Sequence, residues 1–174
     1  MIQLVLSDAA IDELPARLAL SVFFDDVRPL KGTSALIDWR LNGRVSDMIL
    51  QGRLSGSFAE SLIMPAQGRL SANEIFLFGL GSSRDLTESR REEGLSKLAE
   101  KMSRLRSSTF VLSFGDLATD FMGWRTLLRQ FVSRLAEKTG REGCEVVCVE
   151  DPKWIHEAKR RNMDFGPEVE LTYA

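Results

Sequence analysis

Glu74–Thr87, EIFLFGLGSSRDLT, decides the fold, because it changes character twice within fourteen residues. Glu74–Phe78 is an apolar run of strand type. Gly79-Leu80-Gly81 breaks it, and two serines and Arg84 lead into a long charged segment of helical periodicity. A strand that turns on glycines into a helix N-terminus leaves backbone N–H groups without intrahelical partners. Such concave spots hold anions. The candidate ligand-binding residues are therefore Gly79, Gly81, Ser82, Ser83 and Arg84, with the amides of Gly81, Ser82 and Ser83 around a phosphate or carboxylate. Asp85 weighs against that site, since a carboxylate at the helix start already occupies the favourable field. The pattern is neither a Walker A loop nor a complete GxGxxG. The competing reading is that the glycines serve a tight strand–helix connection.

Working outward, strands and helices alternate. Ile2–Leu6 and Leu18–Phe24 read as strands separated by Pro15, the second ending at Asp25-Asp26. Thr33–Gln51 reads as helix interrupted at Gly43 and ended by Gly52. Ser61–Met64 is a strand stopped by Pro65. The helix after the glycine turn is expected to start near Asp85, where Asp85 and Glu88 have the spacing of a capping box. Its Leu95, Leu98, Met102 and Leu105 form a core-facing stripe. Thr109–Phe114 is a strand, and Phe121–Lys138 is a strongly amphipathic helix ended by Gly140. Glu145–Val149 is a strand, and Asp151-Pro152 starts a helix that runs towards Gly166. Val169–Tyr173 is the last strand. Two strands follow each other directly only around residues 60–79. The expected fold is a three-layer α/β/α sandwich with a mixed, mainly parallel sheet. Residues 1–174 form one domain, with no internal repeat, low-complexity segment or linker.

Composition narrows the function classes. The 174 residues carry a net charge of −2, with 44% hydrophobic and 28% charged residues, ordinary for a globular chain. That balance supplies no global attraction to nucleic acid or anionic membrane. No apolar stretch approaches the ~20 residues a membrane helix needs. The opening MIQLVLSDAAIDELP lacks a basic start and acquires acids early, so it is not read as a secretory signal. The expected location is the cytoplasm. Cys144 and Cys148 share one face of a strand with Cα atoms ~13 Å apart. A disulfide tolerates only ~4.4–6.8 Å, so they are read as buried, reduced thiols.

No reactive constellation assembles. His156 is the single histidine and lies on a basic helix, where it reads as solvated or packed and leaves no Cys/His metal site. Neither a G-x-S-x-G elbow nor an H-E-x-x-H motif occurs. Asp25-Asp26, Glu92-Glu93 and Glu150-Asp151 read as solvated acids at element ends or exposed faces. Arg84, Arg90, Arg91, Lys97, Lys101, Arg104 and Arg106 crowd one helix, and Lys159-Arg160-Arg161 crowd another. On the first, Glu88, Glu92, Glu93 and Glu100 interleave as i,i+4 partners, so no unshielded stripe for nucleic acid is expected. No cofactor or metal is implied.

From about residue 18 to 114 the chain resembles the N-terminal domain of the leucyl (cytosol) aminopeptidase family. The resemblance rests on order and spacing: LALSVFFDD, then Pro29, Leu30 and Gly32, then Leu36, Asp38 and Gly43, then GRLSGSFAESLIMP with Gly52, Gly56 and Glu60. The strand–turn FLFGLG and a helix containing Arg90 complete it. The resemblance implies a macro-domain-like fold. It also implies that the metal ligands and catalytic residues of the family lie in a separate C-terminal domain, to which nothing here corresponds. No catalytic or metal-binding residue is carried over to this sequence.

Two functional classes follow. The first is a non-catalytic interaction, assembly or regulatory module, with a protein partner or self-association. The second is a macro-like binder of a small ligand of nucleotide or ADP-ribose type at the Gly79–Arg84 turn, with Asp116 as a loose candidate for an adenine contact. DNA binding, which the resemblance also brings in, is the less favoured third.

Overall fold

The computed structural model describes residues 1–140 and 142–174. Its elements run β1 (Ile2–Ser7), β2 (Leu18–Phe23), α1 (Gly32–Arg40), α2 (Arg44–Leu50), β3 (Ser61–Pro65), β4 (Glu74–Gly79), α3 (Glu88–Arg104), β5 (Thr109–Leu112), α4 (Phe121–Thr139), β6 (Cys144–Val149), α5 (Pro152–Arg160) and β7 (Val169–Tyr173). The strands form one sheet in the order β3-β4-β2-β5-β6-β1-β7. Only the β3–β4 pair is antiparallel.

This order fixes the layers. The chain moves one way along the sheet from β2 to β4, and the other way from β4 to β5, to β6 and to β7. Parallel crossovers are right-handed, so reversing the direction of travel reverses the face on which the helices pack. Accordingly Ile37 of α1 and Val45 of α2 pack with Ala19, Ile75 and Val111 on one face. Leu95 of α3, Leu128 of α4 and Ala158 of α5 pack with Leu20, Phe76 and Phe110 on the other. The result is the expected α/β/α sandwich with a mixed, mainly parallel sheet. Cys144 and Cys148 are unbonded to each other and buried on the face of α3–α5.

Several local expectations are corrected. Thr87, not Asp85, caps α3, its Oγ accepting from the N–H of Arg90 at 3.2 Å. Asp85 instead ends a 3-10 turn, Ser83–Asp85, capped by Ser82. Leu105 falls at the C-cap of α3 and is 39% exposed, outside the core stripe that Leu95, Leu98 and Met102 do form. The strand expected over Thr109–Phe114 ends at Leu112, because Phe114 opens a 3-10 turn, Gly115–Leu117. The last helix ends at Arg160, well short of Gly166.

The break between α1 and α2 has its own chemistry. Gly43, in the left-handed conformation at φ 79°, precedes α2 and has no side chain to cap it. Asp38 supplies the cap from α1, accepting from the N–H of Val45 (2.8 Å), the N–H of Ser46 (3.1 Å) and Ser46 Oγ (2.5 Å).

Candidate functional site

In an open sheet built from crossovers, ligands bind outside the carboxyl ends of the strands where the direction of travel reverses. Here that place lies between β2 and β5. The segments leaving the strands there are Phe24–Val27 after β2, Leu80–Arg84 after β4, Ser113–Leu117 after β5 and Glu150 after β6.

The five residues expected to hold an anion do come together at this rim. Gly79 is the close-packed member: a Cβ there would lie 2.2 Å from the Ser57 carbonyl oxygen and 2.6 Å from the Gly56 backbone. Gly81 takes φ +73° and donates its N–H to the Gly56 carbonyl at 2.9 Å. The loop Ser55–Phe58 that approaches so closely is held by Glu60, whose carboxylate accepts from the amides of Ser55, Gly56 and Ser57 and from Ser55 Oγ. Ser82 Oγ and Ser83 Oγ donate to Asp26 at 3.0 and 2.9 Å, and the Ser83 N–H donates to Asp26 at 2.9 Å. Arg84 stands exposed in the 3-10 turn. The turn is thus a carboxylate cradle, and the carboxylate in it belongs to Asp26. The Ser83 amide, with the two serine hydroxyls, draws the Asp26 carboxyl down to about 2.

Two more carboxylates sit on backbone amides at the same rim. Asp116 accepts from the N–H of Thr33, in the first turn of α1, at 3.1 Å. Glu150 accepts from the N–H of Phe114 (2.7 Å), the N–H of Gly115 (2.9 Å) and Ser113 Oγ (3.2 Å). Burial pushes the Glu150 carboxyl up, and these hydrogen bonds offset part of that rise. Between β2 and β5 lies a cleft of about 260 Å³, walled by Val22, Phe24, Val27, Leu30 and Leu117, with Lys31, Ser34 and Asp116 as its polar groups. Ser34 is committed inward: its Oγ donates to the Val22 carbonyl and pairs with Ser21 Oγ at 2.8 Å.

Of the acids read as solvated, Asp26 is exposed as expected but bonded to Ser82 and Ser83, whereas Glu150 is corrected: it is largely buried. The signal that could have found their contacts is placement: Glu150 directly follows β6, and Asp26 lies three residues past the end of β2, each beside a glycine-containing loop that follows a neighbouring strand. The basic residues behave as the interleaved pattern predicts. Glu93 pairs with Arg90 and Lys97, Glu100 with Arg104, and Glu157 with Arg160 and Arg161. His156 is exposed on α5. Among the described residues no group of three or more His, Cys, Asp or Glu side chains could hold a metal ion. No helix among them is long and apolar enough to cross a membrane.

Comparison with known proteins bears on the fold and the family. Residues 21–141 match the family described as cytosol aminopeptidase family, N-terminal domain. A probable cytosol aminopeptidase of Pseudomonas aeruginosa (strain UCBPP-PA14) is 26% identical over 122 residues, 70% of this chain and 24% of that protein. One of Sulfurihydrogenibium sp. is 26% identical over 107 residues, 62% of this chain and 21% of that protein. The chain therefore spans about a quarter of the length of these relatives. Among solved structures, a tomato leucine aminopeptidase mutant superposes with a TM-score of 0.65 at 13% identity, covering 93% of this chain and 36% of that one. The macro domain of ganglioside induced differentiation associated protein 2 gives 0.68 at 12% identity, covering 95% and 85%. A mutant Oceanobacillus iheyensis macrodomain with ADPR gives 0.61 at 11% identity, covering 90% of each chain. At these identities the structural likenesses speak for a shared macro-like fold, and the sequence match names the lineage: this chain belongs to the cytosol aminopeptidase family as its N-terminal domain.

Proposed function

We propose that the chain is a non-catalytic interaction and assembly module of the cytoplasm. The observation that carries this reading is where its large apolar side chains are exposed. Trp39 on α1 is 68% exposed, Leu50 on α2 is 84% exposed and Ile63 on the edge strand β3 is 44% exposed. α1 and α2 share a shallow hollow that includes Trp39, Asn42 and Ser46, and α2 and β3 share another that includes Met48, Leu62 and Met64. Trp39 and Leu50 belong to the α1–α2 layer, whereas Ile63 is paired with Phe76 and faces the α3–α5 side, so it is Trp39 and Leu50 that form the apolar contact surface. β3 also has an outward edge with no strand beside it.

The test is sedimentation over a wide concentration range for the wild type and for Leu50→Glu and Trp39→Glu. Association by the wild type, weakened in both variants, is the expected result. A concentration-independent monomer that also fails to co-migrate with a purified cytosol aminopeptidase would overturn the reading. Metal-dependent hydrolysis of aminoacyl-anilides by the purified chain would overturn its non-catalytic part.

Nucleotide binding at Gly79, Gly81, Ser82, Ser83 and Arg84 is the second reading. In its favour stands the likeness to a macrodomain solved with ADPR. Against it, Asp26 already occupies both serine hydroxyls and the Ser83 amide, so an incoming phosphate meets a carboxylate rather than free donors.

A further inference from the structure

The cleft between β2 and β5 has the place and apolar walls of a ligand site, yet its polar groups are arranged unlike those of a phosphate receptor. A phosphate is held by backbone amides and cations that turn free donors towards it. Here Asp116, which lines the cleft, has its carboxylate on the Thr33 amide. The fit is close: the Asp116 oxygens lie 1.8 and 2.4 Å from where a Gly32 Cβ would be. Glu150 and Asp26 occupy the amides of Phe114, Gly115 and Ser83 nearby. Lys31 is the one cation in the lining.

We propose that Asp116 is a built-in anion that bars phosphate-bearing ligands from this cleft and leaves it to ligands without a phosphate. The carboxylate stands where an incoming oxyanion would meet the first turn of α1. It takes the donor that such a ligand needs and repels its charge. Asp116 is exposed, so two unit negative charges ~4 Å apart in water-like surroundings, together with the lost amide donor, weaken binding by about thirtyfold. The inference is independent of the assembly reading, because it concerns the strand ends and not the exposed side chains of α1, α2 and β3.

The experiment is calorimetric titration of ADP-ribose and of inorganic pyrophosphate into the wild type, Asp116→Ala and Asp116→Ser. Thermal unfolding of each variant verifies folding, and either variant alone is sufficient. The wild type gives no binding heat up to millimolar ligand. The variants bind ADP-ribose at least tenfold more tightly than the wild-type limit, and adding Lys31→Ala removes most of the gain. Wild-type binding as tight as that of the variants overturns the proposal. So does silence from folded variants, which would mean that Asp116 is not the bar. Sedimentation of the same samples reports on assembly separately, so the two readings fail by different signals.

Discussion

Replacing Gly79 by alanine tests what the glycines of FLFGLG are for. The added methyl would meet the Ser57 carbonyl oxygen at 2.2 Å and the Gly56 carbonyl at 2.6 Å, both backbone atoms of the opposing loop. No flexible side chain can swing away, so the loop itself must move. It is tied to the turn by three backbone hydrogen bonds: Ala59 N–H to Gly79, Gly79 N–H to Glu60 and Gly81 N–H to Gly56, at 2.8–2.9 Å. Overpacking of this kind costs ~1–3 kcal/mol. Each loosened hydrogen bond adds ~1 kcal/mol. The lower entropy of the unfolded alanine chain returns ~0.4–1 kcal/mol. The expected net loss is ~2–4 kcal/mol, a fall in Tm of ~5–15 °C for a chain of this size. Gly79 is not among the positive-φ glycines, so the cost is steric rather than conformational. Gly52→Ala is the matched control, with φ +70° and nothing within 4 Å of the added atom. Its cost is that of left-handed strain, ~1–2 kcal/mol. The assay is denaturant unfolding followed by circular dichroism, with the slope checked for constancy. A Gly79→Ala variant within ~0.5 kcal/mol of wild type, or no worse than Gly52→Ala, refutes the packing argument.

Asp38→Ala removes the cap of α2 and leaves the amides of Val45 and Ser46 without that partner, an expected loss of ~1.5–3 kcal/mol by denaturant unfolding. Two carboxylates give opposite signs against pH. Asp26, held at about 2 against an ordinary 3.8, contributes stability above pH ~4 that is lost as pH falls towards 2, and Asp26→Asn flattens that acid limb. Glu150 is raised, so its contribution is fully present below pH ~4.5 and declines as pH rises through its folded value. The Tm advantage of wild type over Glu150→Gln therefore shrinks with rising pH, and a growing advantage would contradict the burial argument. Burial raises the Cys144 thiol to about 11 and drives Cys148 well above its usual value. Both thiols should resist a disulfide reagent at pH 8 in the native state and react promptly in denaturant.

Much of this architecture was legible because it follows from period and punctuation. Phe121–Lys138 repeats its apolar residues at helical spacing, and α4 is where that spacing places it. Gly43 announced the break between α1 and α2. What sequence could not reveal was which carboxylate meets which amide. Asp26 and Ser83 are 57 residues apart, Asp116 and Thr33 83 apart, and Glu150 and Gly115 35 apart. Such pairs depend on strand order, which local pattern does not encode. The cap of α3 was misplaced for a different reason. Asp85 and Thr87 are both competent caps two residues apart, and the 3-10 turn between them decided in favour of Thr87. The glycines were correctly read as a turn, but their close approach to Gly56 and Ser57 is tertiary and left no trace in the motif itself.

The position of β1 bears on how the molecule comes into being. Ile2–Ser7 precedes the other six strands in sequence, yet it pairs with Cys144–Val149 on one side and Val169–Tyr173 on the other. During synthesis β2, β3, β4 and β5 can meet one another while β1 still has no partner on either edge. Its apolar Ile2, Leu4 and Leu6, which end fully buried, must wait until β6 and β7 have been synthesised. Sheet closure of this kind involves long loops and is slow. It leaves an unpaired hydrophobic strand open to wrong partners in the interval. The sheet is thus closed by strands more than 130 residues apart in sequence, and its vulnerable moment comes before β6 and β7 are made rather than after.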